Sequence, residues 1–454
     1  MLFQIDMAQH HAHTCRYGPD EPRGAVSGVN GRCGTPYVHN PPLPLVAEKD
    51  FSARKLQMAK TDVVVVCCGA PKVSMGWFHL TQLLEHEAVT VSAVVEPYFM
   101  GPGHGKSGSE SFDELVKANP EVVFCASIGE VPAATGDAGA PRLFLIAGRT
   151  CDAKRLFMEA LEAGATHIYI EKPAGESAAQ LREMKAAADA RNVSVVVGYN
   201  KNVAAYTRDA LAALLAVGDG APLPRVTLLH CNEFVPGEPL LAFLRGPGGE
   251  GMLHNMCCHE LALACTLFGV SADRVTSIVL DPNASELIDL GDGRSDWSRV
   301  TFTLKLAEMP ADAPPPPPGS VRVDELTFSA DRCGGNFSKI VLTDASSGRA
   351  TSEFRLPSPE HEAWIMKAQK ADPLIRPYFL QQAPDYERLK NTFLSHIGSG
   401  KAGIPDGVVG LEGAIDALTL ADMLVPAIKQ CWADGAPWTW HPPASADAKR
   451  QKVV

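Results

Sequence analysis

The 454-residue sequence lacks the patterns that most quickly assign a class. It has twelve cysteines but no C-x-x-C pair. Cys67-Cys68 and Cys257-Cys258 are adjacent, which suits neither a disulfide framework nor zinc-ligand spacing. They read as reduced, mostly buried thiols of a cytoplasmic protein. No run approaches the roughly 18 apolar residues of a membrane span. The opening residues, MLFQIDMAQHHAH, lack a charged region followed by an apolar one, so no secretory signal is expected. Positive charge is also short. A net charge of −11 argues against nucleic acid or an anionic membrane as partner, while leaving room for a local basic pocket. With 46% apolar and 20% charged residues, the composition is that of a soluble globular chain with a large core.

Residues 1–58 are rich in Gly, Pro, His and Asn and have little periodicity, which predicts a flexible extension. His10, His11, His13 and Cys15 have metal-ligand chemistry, but nothing there supplies a rigid geometry, so no metal site is expected. From residue 61 onward, strand and helix patterns alternate. Residues 62–67 form a continuous apolar run suited to a central parallel strand. Gly69 and Gly76 follow, then a helix with Leu80, Leu83 and Leu84 on one face, then a strand over 89–95 ending in Glu96. This is the order of a first mononucleotide-binding unit. A glycine lets backbone approach a pyrophosphate, and a helix N-terminus favours its charge. Glu96 can hold ribose hydroxyls and repel a 2′-phosphate, which favours NAD over NADP.

The glycine fingerprint departs from G-x-G-x-x-G. Cys67 stands at the first glycine, and Gly69 and Gly76 are seven apart rather than three. The alternation nevertheless continues through strands at 122–126, 143–147, 166–170 and 193–197, with helices between. Six such strands predict a doubly wound parallel sheet, so residues 59–202 read as a Rossmann domain. After a helix over 203–217, longer alternating strands appear at 225–232, 274–280, 297–306, 322–330 and 339–343. They predict a large, mainly antiparallel open sheet in an α+β domain over 203–436. The proline run at 314–318 predicts an exposed loop. Helices over 385–397 and 411–430 close the fold, and 437–454 reads as a polar tail.

The strand at 166–170 ends in Glu171-Lys172-Pro173. Ligands of open α/β sheets bind at the carboxyl ends of strands. A lysine held there by the proline, partly removed from water, is expected to have a lowered pKa and to exchange protons near neutrality. Taken alone, the same tripeptide also fits an ordinary surface lysine in a β–α loop.

Four features together resemble the Gfo/Idh/MocA oxidoreductase family. They are Gly76-x-x-His79, Glu171-Lys172-Pro173, Gly198-Tyr199-Asn200, and the run Gly249-Glu250-Gly251-Met252-Leu253-His254-Asn255 followed by His259. Tyr386-x-x-Leu389 with Phe393, and the run 413–417, resemble the family's closing helices. The resemblance spans residues 62–430 and implies hydride transfer between a nicotinamide and a hydroxyl-bearing carbon of a sugar, cyclitol or related polyol.

It implies Lys172 and His259 as the catalytic pair, with Asn255, His254, Asn202 and Tyr199 toward the substrate. Gly69, Gly76, Glu96, Ala147, Arg149, Glu171, Lys172 and Asn200 would border the cofactor. Spacing puts residue 255 one helical turn before His259, on the same face. Position 255 holds Asn where the family has Asp, so it can bind a hydroxyl but cannot take its proton as a carboxylate would. Asn202 stands at the family's frequent arginine. Arg149 is a cofactor contact or one half of a surface ion pair. The open sheet has a face that needs cover, and the resemblance implies that it pairs subunits in a homodimer or homotetramer. The altered glycine loop and Asn255 leave a second reading, a cofactor- or ligand-sensing regulatory protein on the same fold.

Overall fold

The structure, a computed structural model, describes residues 60–133, 140–217, 222–246, 249–308 and 319–439. The expectations for residues 1–58, including His10, His11, His13 and Cys15, and for the proline run at 314–318 lie outside the described residues. The described residues fall within one compact unit, 57–454.

The first part alternates strand and helix: β1 (Thr61–Val66), α1 (Met75–Leu84), β2 (Val89–Val95), α2 (Ser109–Ala118), β3 (Val123–Cys125), β4 (Arg142–Ile146), α3 (Thr150–Glu162), β5 (His167–Ile170), α4 (Ala178–Asp189), β6 (Ser194–Val197) and α5 (Ala205–Leu215). The six strands are all parallel, in the order β3-β2-β1-β4-β5-β6. That is the doubly wound order, with its switch point between β1 and β4. Val63 to Val66 are fully buried, as a central strand covered on both faces requires.

The second part holds β7 (Arg225–Cys231), α6 (Glu238–Arg245), α7 (Cys258–Leu267), β8 (Val275–Leu280), β9 (Glu286–Gly291), β10 (Arg294–Leu306), β11 (Glu325–Asp331), β12 (Phe337–Thr343), β13 (Ala350–Leu356), α8 (Pro359–Ala371), α9 (Pro377–Gly398), α10 (Leu411–Asp434) and β14 (Trp438–Thr439). Its sheet runs β13-β12-β7-β11-β10-β8-β14, with β9 on β10. Only the β7–β11 pair is parallel. β11 and β12 alternate buried and half-buried residues, so one face is covered by core and the other is open.

Four elements were not expected from sequence: β9, β13, α6 and α8. The stretch expected as a tail from 437 instead begins with β14, paired to β8. α9 starts at Pro377 and carries Pro384 inside it, and that second proline accounts for the later start expected at 385.

The two sheets share their covering helices. α9 lies along α1, with Phe78 stacked on Phe379 at 5.6 Å, the Gln82 amide donating to the Ala383 carbonyl at 3.0 Å, and His86 bonded to Asn391 at 2.9 Å. α10 packs against α4 and α7. The β6 residue Val197 donates its N–H to the carbonyl of Val409, just before α10, at 2.8 Å.

Candidate active site

After β1, Cys67 adopts a φ of 63°, the left-handed conformation that a glycine holds without penalty. The residues inserted after Gly69 close on themselves. Val73 and Ser74 donate to the Ala70 carbonyl at 3.2 and 3.0 Å, and Ala70 donates to Ser74 Oγ at 2.9 Å. A Cβ on Gly76 would stand 2.2 Å from the Cys67 carbonyl oxygen, so only glycine lets α1 start this close to β1. That is the packing role of the fingerprint's third glycine. No side chain caps α1, which leaves its first-turn N–H groups open to an anion.

Glu96, 3% exposed, ends β2 as expected. Its carboxylate already accepts the Gly69 N–H at 2.6 Å and the Tyr98 N–H at 3.1 Å. Each oxygen keeps a lone pair that a ribose hydroxyl could use. The switch point, the uncapped α1, the close Gly76 contact and the acid ending β2 all fit a dinucleotide. The Gly69 N–H differs from that pattern, being turned to Glu96. Ala147 follows β4, and Arg149, exposed at the start of α3, makes no ion pair among the described residues. Lys72, at the loop's tip, pairs with Asp372 between α8 and α9 at 2.6 Å.

At the end of β5, Glu171 extends the ladder through its N–H to the Ile146 carbonyl, and the Lys172–Pro173 peptide is cis. Glu171 turns inward. Its Oε1 accepts the Tyr169 hydroxyl at 3.0 Å and lies 2.9 Å from His79 Nε2. A Cβ on Gly198 would come within 2.5 Å of that same oxygen, which accounts for the glycine after β6.

Lys172 is half-buried, and its amine makes no hydrogen bond among the described residues. Burial acts to lower its pKa, but Cys258, Tyr378, Glu171 and Glu250 outweigh it, and the net shift is upward. The lowered pKa expected from sequence is therefore corrected. At neutral pH Lys172 is an ammonium donor rather than a free base, because its acidic neighbours favour the charged form by more than burial disfavours it.

His259, on α7, is 3% exposed and meets the Tyr199 ring edge-on at 5.6 Å. Neither of its ring nitrogens has a partner among the described residues, and neither does the Tyr199 hydroxyl. Burial, then Lys201, Lys172 and His230, push the imidazole well below its ordinary pKa, so it is neutral. A neutral ring offers one donor and one acceptor.

The other expected contacts are placed differently. Residues Met252–Met256 form a π-helical turn before α7, so the four-residue repeat expected to join 255 to His259 does not run between them. The Asn255 amide donates to Glu250 at 3.1 Å. His254 pairs with Asp422 on α10 at 2.9 Å. Asn202 donates to Thr266 Oγ1 at 2.6 Å, tying the turn after β6 to α7. Asn200 donates to Gln382 at 3.0 Å, while its Oδ1 stays unpaired among the described residues.

Sequence reasoning missed the groups beneath the site. Lys201 donates to Glu260 at 2.6 Å and lies 3.0 Å from His230 Nδ1, which is 2.8 Å from Ser338 Oγ. Arg332 pairs with Asp296 at 2.9 Å, and Asp296 accepts the Met252 N–H at 3.0 Å. Lys201 and Glu260 each neighbour a residue that was singled out, but a buried pair 59 positions apart leaves no local pattern. The ten described cysteines are free thiols. Among the described residues no group of three or more His, Cys, Asp or Glu is placed to hold a metal, and no helix is long and apolar enough to cross a membrane.

Fold and site define a class: a doubly wound nucleotide-binding sheet joined to an open mixed sheet, with a lysine at the crevice. Residues 63–199 match the family described as GFO_IDH_MocA, oxidoreductase family, NAD-binding Rossmann fold. Among solved structures, a myo-inositol dehydrogenase from Corynebacterium glutamicum aligns with a TM-score of 0.56 at 17% identity, over 85% of this chain and 100% of its own. A myo-inositol 2-dehydrogenase from Lactobacillus plantarum gives 0.56 at 15%, over 84% and 100%. A scyllo-inositol dehydrogenase from Lactobacillus casei, solved with NAD(H) and scyllo-inositol, gives 0.56 at 12%, over 84% and 99%. At these identities the likeness is one of fold. No curated protein sequence matches the chain.

Proposed function

We propose that the protein is an NAD-dependent dehydrogenase acting on a hydroxyl-bearing carbon of a polyol, sugar or cyclitol. The carrying observation is a set of buried polar groups without partners among the described residues, both His259 nitrogens on α7 and the Tyr199 hydroxyl after β6, beside the half-buried Lys172 amine after β5. A buried unpaired polar group costs about 1–3 kcal/mol. A hydroxylated ligand would relieve that cost. The Lactobacillus casei structure, which holds a cyclitol and NAD(H) on this fold, supports the same substrate class.

Bound nicotinamide would supply the hydride acceptor or donor. Lys172 donates to the substrate oxygen and steadies the charge that grows there, and His259 orients the hydroxyl and receives its proton. Asn255 and Tyr199 are hydroxyl ligands. His254 and Asn202, engaged by Asp422 and Thr266, have supporting roles. Glu96 faces the ribose and disfavours a 2′-phosphate, so NAD is preferred to NADP. Gly69, Gly76, Ala147, Arg149, Glu171 and Asn200 border the cofactor. On this reading residues 59–202 bind the dinucleotide, residues 203–436 bind substrate, and the open sheet face pairs subunits in a homodimer or homotetramer.

The test is titration with NADH and NADPH, followed by a polyol and sugar screen read by nicotinamide absorbance. NADH binding with turnover of one of these compounds is expected. No binding of either nucleotide would overturn the reading. A regulatory protein is the second reading, favoured by the Gly69 N–H already held by Glu96 and by the Lys72–Asp372 pair across the loop. It predicts binding without turnover, or no binding at all.

A further inference from the structure

Two of the sequence features named above, Gly76-x-x-His79 and Glu171-Lys172-Pro173, converge with Tyr386 of the closing helix on one buried spot. His79, fully buried on α1, lies between Glu171 on one side and Lys390 of α9 on the other. Lys390 Nζ is 2.9 Å from His79 Nδ1, and it also donates to Gln82 Oε1. Tyr169 and Tyr386 box the imidazole edge-on at 5.3 and 5.1 Å. Tyr386 and Lys390 are four residues apart on α9 and so share a face. The charged and titratable groups around Lys390 are His79 from α1, Glu171 just after β5, and Tyr386 and Glu387 on α9 itself.

We propose that Lys390 is a positioning residue: by donating to His79 it fixes the tautomer that holds the Glu171 carboxylate, and through Glu171 it aims Lys172. An ammonium only donates, so His79 Nδ1 must accept. The ring hydrogen then sits on Nε2, facing Glu171 Oε1. Burial, then Lys390, lower His79 to about 4, so the ring stays neutral. Burial lowers Lys390 to about 7, against the pull of Glu171 and Glu387. Once deprotonated, the amine can accept as well as donate. The imidazole can then turn its hydrogen toward Lys390 and present a bare Nε2 to the carboxylate, which releases Glu171. The effect on turnover rests on the dehydrogenase reading; the tautomer does not.

The experiment is nitrogen NMR of the full chain labelled with 15N-histidine, with His79→Gln used to assign the signals. Wild type at about pH 6 should show His79 protonated at Nε2 only. Raising the pH to about 8 should mix the tautomers, and Lys390→Met should mix them at both values. Lys390→Arg, which keeps charge and donors, should restore the wild-type pattern. In turnover assays, Lys390→Met should lower kcat by about tenfold, leave the cofactor KM unchanged and abolish the inflection near neutrality. A fixed Nε2–H tautomer in Lys390→Met overturns the proposal. Should that variant not fold, a wild-type tautomer that does not change across the same pH range overturns it equally. If wild type turns over no substrate, only the dehydrogenase reading falls, and the spectra still decide the role of Lys390.

Discussion

The glycine loop and the Lys172 pocket both lie at the carboxyl ends of sheet strands, and they treat their polar groups in opposite ways. In the loop, Glu96 accepts Gly69 and Tyr98, Ser74 and Ala70 bond each other, and Lys72 reaches Asp372. At the Lys172 site, both His259 nitrogens and the Tyr199 hydroxyl have no such partners among the described residues. A loop paired within itself is stable without a ligand and must rearrange to take one. A pocket that keeps unpaired polar groups gives up stability and gains a ready-made hydroxyl site. On the proposed reading, the Lys172 site would recognise the reacting compound and the loop would select the nucleotide.

The sharpest way to break this contrast is Lys172→Ala. Turnover should fall by about 100-fold or more, as for loss of a charged donor on the reacting oxygen. Steady-state rates equal to wild type would remove Lys172 from the chemistry.

A second break concerns pH. Lys390 has a folded-state pKa of about 7 against an ordinary 10.5. Between those values the unfolded chain holds a proton that the folded chain lacks, so stability rises with pH across that window. Denaturant unfolding of wild type should show this rise relative to Lys390→Met, by up to about 1.4 kcal/mol per pH unit. Parallel curves would mean that Lys390 is not desolvated.

Glu96→Ala should narrow the preference for NADH over NADPH by about tenfold in binding titrations. An unchanged ratio would detach Glu96 from the ribose. His259→Leu sharpens the other side of the contrast. Removing an unpaired buried imidazole should raise unfolding stability by about 1 kcal/mol while activity falls. Smallest of all, Lys72→Ala should leave the thermal midpoint almost unchanged, since the pair is only partly buried, and speed nucleotide release in stopped-flow.

Much of the fold was legible because each half has its own period. Unbroken valines marked β1, alternation marked β10 to β12, and Glu96 and Glu171-Lys172-Pro173 fell at strand ends. β13 escaped because Ala350–Leu356 is largely exposed and polar, so it carries little apolar signal. Residue 255 lies in a π turn, whose repeat differs from that of the α-helix the spacing assumes. The charge on Lys172 was misread because its neighbours Glu250, Cys258 and Tyr378 come from distant segments. Lys390 was illegible for the same reason: it lies 311 residues from the histidine it serves.

The bond from Val197 to Val409 has a consequence for synthesis. β6 is the edge of the parallel sheet, and the residue that finishes it is translated some two hundred positions later. A nascent chain carrying only the first sheet therefore displays an unfinished edge and a bare α1, with the segments that cover them still inside the ribosome. Such edges are templates for pairing with other chains. The nucleotide-binding half thus comes first in sequence but completes last in time, and a message truncated before residue 409 should yield aggregate rather than a free-standing domain.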